Sequence, residues 1–316
     1  MPTFVQQYSA VLFPQAPVSQ QQKREIIRLL QQWHLLPTRP NCGAGHPMNL
    51  RSRRNERDGY RFRCTVRNCN QQPTRSVRKG TFFEDFGYDL GQIVYDIYLW
   101  TQRLTGQEIA NITGIDPHRI VKIRAKLRRT CKNDLTLRPV FVDGSGGWTV
   151  QIDESLFNHK PKRIGGRALG RRARQQIWVF GMVDTRYTPA RGVFQVVPNR
   201  SRRTLTGIIN QFLRGNNVTI HSDLWRGYIN LPAFVPRCTN HDTVNHSTNF
   251  VDPVTGAHIQ TVESAWNRIK YHVKKAKGCR RTHLQSYLNE HMWFDWKGGN
   301  NRFHEICWAI ERLFPV

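Results

Sequence analysis

The sequence predicts an α/β domain built on a mixed five-stranded sheet with flanking helices, preceded by two smaller basic modules, and three observations carry that expectation. The stretches WTVQIDES (Trp148–Ser155) and NVTIHSDLWRGY (Asn217–Tyr228) alternate apolar and polar residues at the period of a strand, and each run ends on an aspartate, Asp153 and Asp223. The stretch TGAHIQTVESAWNRIKYHVKK (Thr255–Lys275) has the period of a helix instead. There Val262, Ala265, Ile269 and Val273 form the apolar stripe, while Glu263 shares a face with Trp266, Asn267 and Lys270. Finally, 48 Lys and Arg against 22 Asp and Glu give the 316 residues a formal charge of +26, spread along the chain, which points to a polyanionic partner such as DNA or RNA.

Composition also excludes classes. No apolar run approaches the roughly twenty residues a membrane span needs, so no membrane partner is expected. The opening MPTFVQQYSAVLFPQ lacks the basic and apolar regions of a secretory signal. Seven irregularly spaced cysteines argue against a disulfide scaffold and for a reducing compartment.

In chain order, residues 1–37 form an N-terminal extension with one helix, Gln20–His34, on Ile26, Ile27, Leu30 and Trp33. Residues 38–80 hold Cys42, His46, Cys64 and Cys69 around an Arg-rich hairpin, NLRSRRNERDGYRFRC. Two close pairs of soft ligands separated by a hairpin suit a structural Zn²⁺ in a module too small for its own core. Arg51, Arg53, Arg54, Arg57, Arg61 and Arg63 on that hairpin are placed to reach phosphates. Residues 85–135 read as helices, with TGQEIANITGIDPHRIVKIRAKLRR giving helix, turn at Gly114, helix. Asp116 caps the last helix and Pro117 is its first residue. With Ile120, Ile123 and Leu127 inward, Arg119, Lys122, Arg124, Lys126 and Arg128 face outward. That is the outline of a helix-turn-helix with a basic recognition helix; a plain helical hairpin is the alternative.

Gly144, Gly146 and Gly147 read as a linker to the α/β domain, residues 145–297. After the Asp153 strand comes a cationic, glycine-bearing loop with Lys160, Lys162, Arg163, Arg167, Arg171, Arg172 and Arg174, suited to a phosphate backbone. Strands follow at Gln176–Val183 and Gly192–Val197. Then come a helix at Arg203–Leu213, the Asp223 strand, a short helix near Trp225–Ile229, a weak strand around Thr243–Asn245 and the Glu263 helix, with a tail helix in 298–316. Three strands, helix, strand, helix, strand, helix is the order of a ribonuclease H-like fold. In such a fold Asp153 and Asp223 meet on central strands and Glu263 is delivered across them. Three acids in a chain poor in acids supply the oxygen ligands for two Mg²⁺ (or Mn²⁺) ions and in-line attack on a phosphodiester. Neighbouring acids fit less well. Glu154 points to the other face of its strand, Asp184 ends a different strand, and Asp252 precedes Pro253 in a loop. His221 and His258 read as local hydrogen-bonding groups, and Trp266 as a packed residue with stacking on an extruded base as the alternative.

The motifs IDES, HSDLWRGY and VNHSTNFVDPVTGAHIQTVESAWNRIK resemble the DDE transposases of the Merlin type and their bacterial insertion-sequence relatives, over most of 148–297. The resemblance implies a catalytic triad of Asp153, Asp223 and Glu263 and a DNA-contacting Lys270, with Arg268 holding phosphate beside it. It also implies a zinc-ribbon-like N-terminal module, although the cysteine pairs here depart from the tidier spacing of the family. The expected activity is metal-dependent cleavage at terminal inverted repeats and strand transfer into target DNA by at least a dimer, in the nucleus if the host is eukaryotic. The competing readings are a catalytically silent DNA-binding protein and a ribonuclease H-like nuclease that cuts without joining.

Overall fold

The computed structural model describes residues 18–69, 73–157, 163–164, 167–168, 176–245, 250–276, 278–299 and 301–316, and they fall into two compact units. One takes in the chain up to Asp134 together with the C-terminal helix; the other spans Leu135 to Gly299. The expected N-terminal extension, cysteine module and helical module thus belong to one unit.

In the first unit Ser19 forms a reciprocal capping box with Gln22 and starts α1, Gln20–Gln32. The Arg-rich hairpin is present as β1, Asn49–Ser52, paired antiparallel with β2, Tyr60–Arg63, and extended by β3, Thr74–Ser76. Asp89 caps α2, Leu90–Thr101. A second capping box, Thr105 with Glu108, starts α3, Gly106–Thr113. It stops at Gly114, whose φ of 67° is cheap only for glycine. The next helix, α4, runs over Pro117–Leu137, with Asp116 Oδ1 accepting from the His118 amide as a cap should.

In the second unit β4, Thr149–Phe157, is the centre of a five-stranded sheet. It is flanked on one side by β7, Ile177–Asp184, antiparallel to it, and then β8, Arg191–Val197, antiparallel to β7, and on the other by β9, Val218–Asp223, and β10, Cys238–Val244, both parallel to it. A separate two-stranded piece pairs β5, Arg163–Ile164, with β6, Arg167–Ala168. Between β8 and β9 lies α5, Arg202–Phe212, capped by Ser201. After the sheet come α6, Gln260–Lys275, and α7, Leu284–Trp296; the chain ends in α8, Arg302–Leu313, which belongs to the first unit. The mixed sheet with flanking helices agrees with the expected class. Val150, Ile152, Val179, Phe180, Met182 and Ile220, all fully buried, form its core with Val262 and Ala265 of α6.

Several boundaries differ from the sequence reading. The Glu263 helix begins at Gln260, because Asp252 Oδ1 gathers the amides of Val254 and Thr255 into a turn and Gly256 sits at φ 69°. The glycine stretch is not a free linker: the Asp143 and Gly144 amides donate to Asp184 Oδ2 at 3.2 and 3.3 Å, and Gly144 lies against Val150 and Val218. β10 is longer than the Thr243–Asn245 expected, and α7 was not foreseen.

Candidate active site

β4 and β9 run parallel with Thr149 beside Thr219, Val150 beside Ile220 and Gln151 beside His221. Residue n of β4 therefore faces residue n + 70 of β9, and the same step carried two residues on sets Asp153 beside Asp223. Alternation along a strand puts Gln151 and Asp153 on one face, with His221 and Asp223 on that same face of the neighbouring strand.

Burial pushes the Asp153 carboxyl up to about 7, helped by the charges of Asp223 and Glu154 and opposed by a hydrogen bond from Trp266. That bond, Trp266 Nε1 to Asp153 Oδ2, is 2.9 Å. Asp223 Oδ1 accepts from the Trp225 amide at 3.0 Å. Among the described residues neither carboxylate has an ion-pair partner. Two adjacent, half-buried carboxylates, the charge of Asp223 raising the proton affinity of Asp153 and neither paired with a cation among the described residues, form a donor set fitted to a hard divalent ion.

Glu263 is exposed and its side chain makes no hydrogen bond or ion pair among the described residues, so the pairing with Asn267 or Lys270 open to a helical Glu is not made. It sits three residues before Trp266, about 4.5 Å along the axis of α6. The structure brings Asp153 and Asp223 together but does not gather Glu263 with them. Among the described residues the one set of three or more ligating side chains close enough to share an ion is Cys42, His46, Cys64 and Cys69. Glu263 itself remains in solvent.

The set-aside acids have other work. Glu154, on the opposite face, pairs with Arg200 at 2.7 Å and accepts from the Tyr228 hydroxyl, and Arg200 lies over the rings of Trp178 and Trp225. Asp184 is buried beneath the Asp143–Gly144 amides and Arg186, and Asp252 holds its turn. His221 and His258 are local hydrogen-bonding groups: His221 Nδ1 lies 3.3 Å from the His258 carbonyl, and His258 Nδ1 is 3.2 Å from Gln151 Nε2.

Some of the expected nucleic-acid contacts are corrected. Trp266 is 3% exposed and packed edge-on to Phe157 and Phe194, so its indole cannot stack on an extruded base. Lys126 is buried, paired with Asp85 at 2.7 Å and centred 5.2 Å from each of the rings of Phe82, Phe86 and Phe314. Arg128 is buried as well, and Arg124 is half-buried with its guanidinium on the Leu104 carbonyl. The 21-residue helix buries more than the Ile120, Ile123 and Leu127 stripe, and Phe82, Phe86 and Phe314 close over Lys126 and remove it from the surface. Arg119 and Lys122 stay exposed, Arg119 over the Tyr88 ring. Arg268 is half-buried and donates to the Ala190 carbonyl at 2.6 Å, whereas Lys270 is exposed, 5.9 Å from the Phe157 ring. Arg167 lies in β6, where the backbone alone is described; Arg171 and Arg172 lie outside the described residues.

In the first unit the ligand atoms of Cys42, His46, Cys64 and Cys69 lie within 4.8 Å of one another, with Cys42 Sγ 3.9 Å from Cys69 Sγ and Cys64 Sγ 4.0 Å from His46 Nδ1. Tetrahedral zinc with bonds near 2.3 Å to sulfur would set such edges at about 3.8 Å. Burial, then the neighbouring Cys64 and Cys42, push the Cys69 thiol up to about 11, a repulsion among sulfurs that a cation would cancel. One face of the adjoining sheet forms a groove lined by Arg51, Arg53, Arg61, Arg63, Thr65 and Thr74, with Arg51 directly opposite Arg61. Within the hairpin, Arg61 is paired with Glu56 at 2.8 Å, which offsets part of the repulsion between the facing arginines.

Residues 144–294 match the family model described as the ISXO2-like transposase domain. This part of the chain is similar to that transposase domain. It contains β4, β9 and α6, and with them all three acids. No curated protein matches the chain. Among solved structures, the chain is similar to one in the simian T-cell lymphotropic virus intasome in complex with PP2A regulatory subunit B56 gamma. The identity is 12%, the TM-score 0.32, and the match covers 65% of this chain and 69% of that one. Another is in the Mos1 strand transfer complex, at 12% identity and TM-score 0.30, covering 69% of this chain and 75% of that one.

Proposed function

We propose that the protein is a DDE-type DNA transposase that cleaves DNA at terminal inverted repeats and joins the freed end to target DNA. The observation that supports this is the β4–β9 register, which, carried two residues on, brings Asp223 close enough for its charge to act on Asp153 in a stretch similar to a transposase domain, neither acid having an ion-pair partner among the described residues. Asp153, Asp223 and Glu263 would hold two Mg²⁺ or Mn²⁺ ions, Glu263 by rotation of an exposed side chain on a fixed helix. When bound, such ions lower the pKa of a water for attack on phosphorus and steady the leaving oxygen. The chain's own contribution is placement. Asp153 is oriented by the Trp266 indole, Asp223 by the Trp225 amide, and Lys270 and the cationic loop would hold phosphates. The strand order, three antiparallel strands and then two parallel to the first, supports a ribonuclease H-like core.

In the first unit the Cys42–His46–Cys64–Cys69 set would hold structural Zn²⁺. The arginine groove beside it, with Arg119 and Lys122 on α4, would grip duplex DNA as a zinc-ribbon-like module and a helix-turn-helix. Joining two ends calls for at least a dimer. Incubating the full chain and Mg²⁺ or Mn²⁺ with a labelled inverted-repeat end and a plasmid tests the reading. Joined product lost in Asp153→Asn is expected. Cleavage without joining would leave a nuclease, and a shifted band without cleavage a DNA-binding protein.

A further inference from the structure

The helix bearing Glu263 has no cap of its own: Ile259 occupies the N-cap position and makes no side-chain bond. The task falls to β4. Gln151 is fully buried, and its Oε1 accepts from the amides of Thr261 at 2.9 Å and Val262 at 3.1 Å, the second and third residues of α6, which an N-cap side chain ordinarily satisfies. Its Nε2 meets His258 Nδ1 at 3.2 Å, while His221 on β9 reaches the His258 backbone, 3.3 Å to the carbonyl and 3.4 Å to the amide. The residues two positions before each aspartate therefore hold the same five residues of chain, 258–262, that lead directly into Glu263.

Resting on the proposed metal-dependent reading, we infer that Gln151, assisted by His221, is a positioning residue. It caps α6 from the sheet and fixes the start of the Glu263 helix in register with Asp153 and Asp223. Gln151 touches no reacting atom; it determines where Glu263 can reach.

The test is a double-mutant cycle on the full chain, reading Mn²⁺ affinity by calorimetry, with melting temperature and circular dichroism as fold controls. Glu263→Gln weakens Mn²⁺ binding. Gln151→Met, similar in size but a poor acceptor, weakens it about tenfold and lowers the melting temperature by a few degrees while the circular dichroism of the folded chain is kept. The double variant binds within about twofold of the weaker single one, because both changes remove the same ligand. Gln151→Glu keeps an accepting oxygen for both amides and binds at least as well as the parent. If Gln151→Met fails to fold, Gln151→Asn, one methylene too short to reach Thr261, takes its place with the same expectations. Losses that multiply in the double variant, a Gln151→Met that binds normally, or a Gln151→Glu as weak as Gln151→Met would overturn the clamp while leaving the metal site standing. A Glu263→Gln that binds Mn²⁺ normally would overturn the role of Glu263, and the clamp with it.

Discussion

Asp96 is a buried acid that the proposed chemistry does not use, and its titration gives a sharp prediction for the first unit. It lies on α2 with no exposure, and neither carboxylate oxygen has a hydrogen-bond partner among the described residues. Burial raises its pKa from an ordinary 3.8 to about 7, with the charge of Arg124 opposing the rise. An acid whose folded pKa exceeds its unfolded one keeps a proton in the native state that the unfolded chain has released, so raising the pH favours unfolding. The slope reaches about 1.4 kcal/mol per pH unit between roughly pH 4 and 7, on the order of 4 kcal/mol in all. Asp96→Asn removes the titration. Urea unfolding at pH 5, 6, 7 and 8 checks it. Parent and variant should converge only toward pH 4, with the variant already about 1.5–2 kcal/mol the more stable at pH 5 and about 4 kcal/mol at pH 8. Parallel stability curves, or a variant less stable at pH 8, would refute the assignment of a native-state proton to Asp96.

Other expectations follow from the same structure. The chain should purify with one zinc per molecule by elemental analysis, and Cys64→Ser should lose that metal together with protection of the β1–β3 amides in hydrogen exchange. Lys122→Ala should weaken DNA binding and lower the salt slope by about one, whereas Lys126→Ala should leave that slope unchanged and lower the first unit's stability by a few kcal/mol, read by titration at several salt concentrations and by urea unfolding. Gly181→Ala would put a methyl 2.6 Å from the Trp266 ring, so about 1–3 kcal/mol of stability should be lost and the indole displaced from Asp153, visible as a shifted tryptophan emission.

How much of this was legible depends on how local each signal is. The Asp153 and Asp223 strands alternate cleanly, and the turn between α3 and α4 is written in Gly114, Asp116 and Pro117, because strand alternation and capping act over a few residues. β10 was read short because CTNHDTV buries little beyond Cys238 and Val244 at its ends, and an edge strand shows weak alternation. The helix Leu284–Trp296 escaped because Asn289, Glu290 and His291 are buried beside Leu288 and Met292, so no polar face marks its period. Lys126 was placed outside because helical spacing cannot know that aromatic side chains 40 residues upstream and at the far C-terminus enclose it. Gln151 was passed over for a similar reason. Its partners lie 110 and 111 residues away, and one signal alone hinted at them, the lack of a capping residue before Gln260.

The grip on Glu154 has a further consequence. A strand displaced by a single position would present Glu154, an equally good carboxylate, where Asp153 belongs, and sheet hydrogen bonding alone cannot tell the two alignments apart. With Glu154 tied to Arg200 and Tyr228 on the far side, the sliding alignment would strand a guanidinium and a phenol without their acid. The neighbour that takes no part in the chemistry thereby proofreads which oxygen is offered to it.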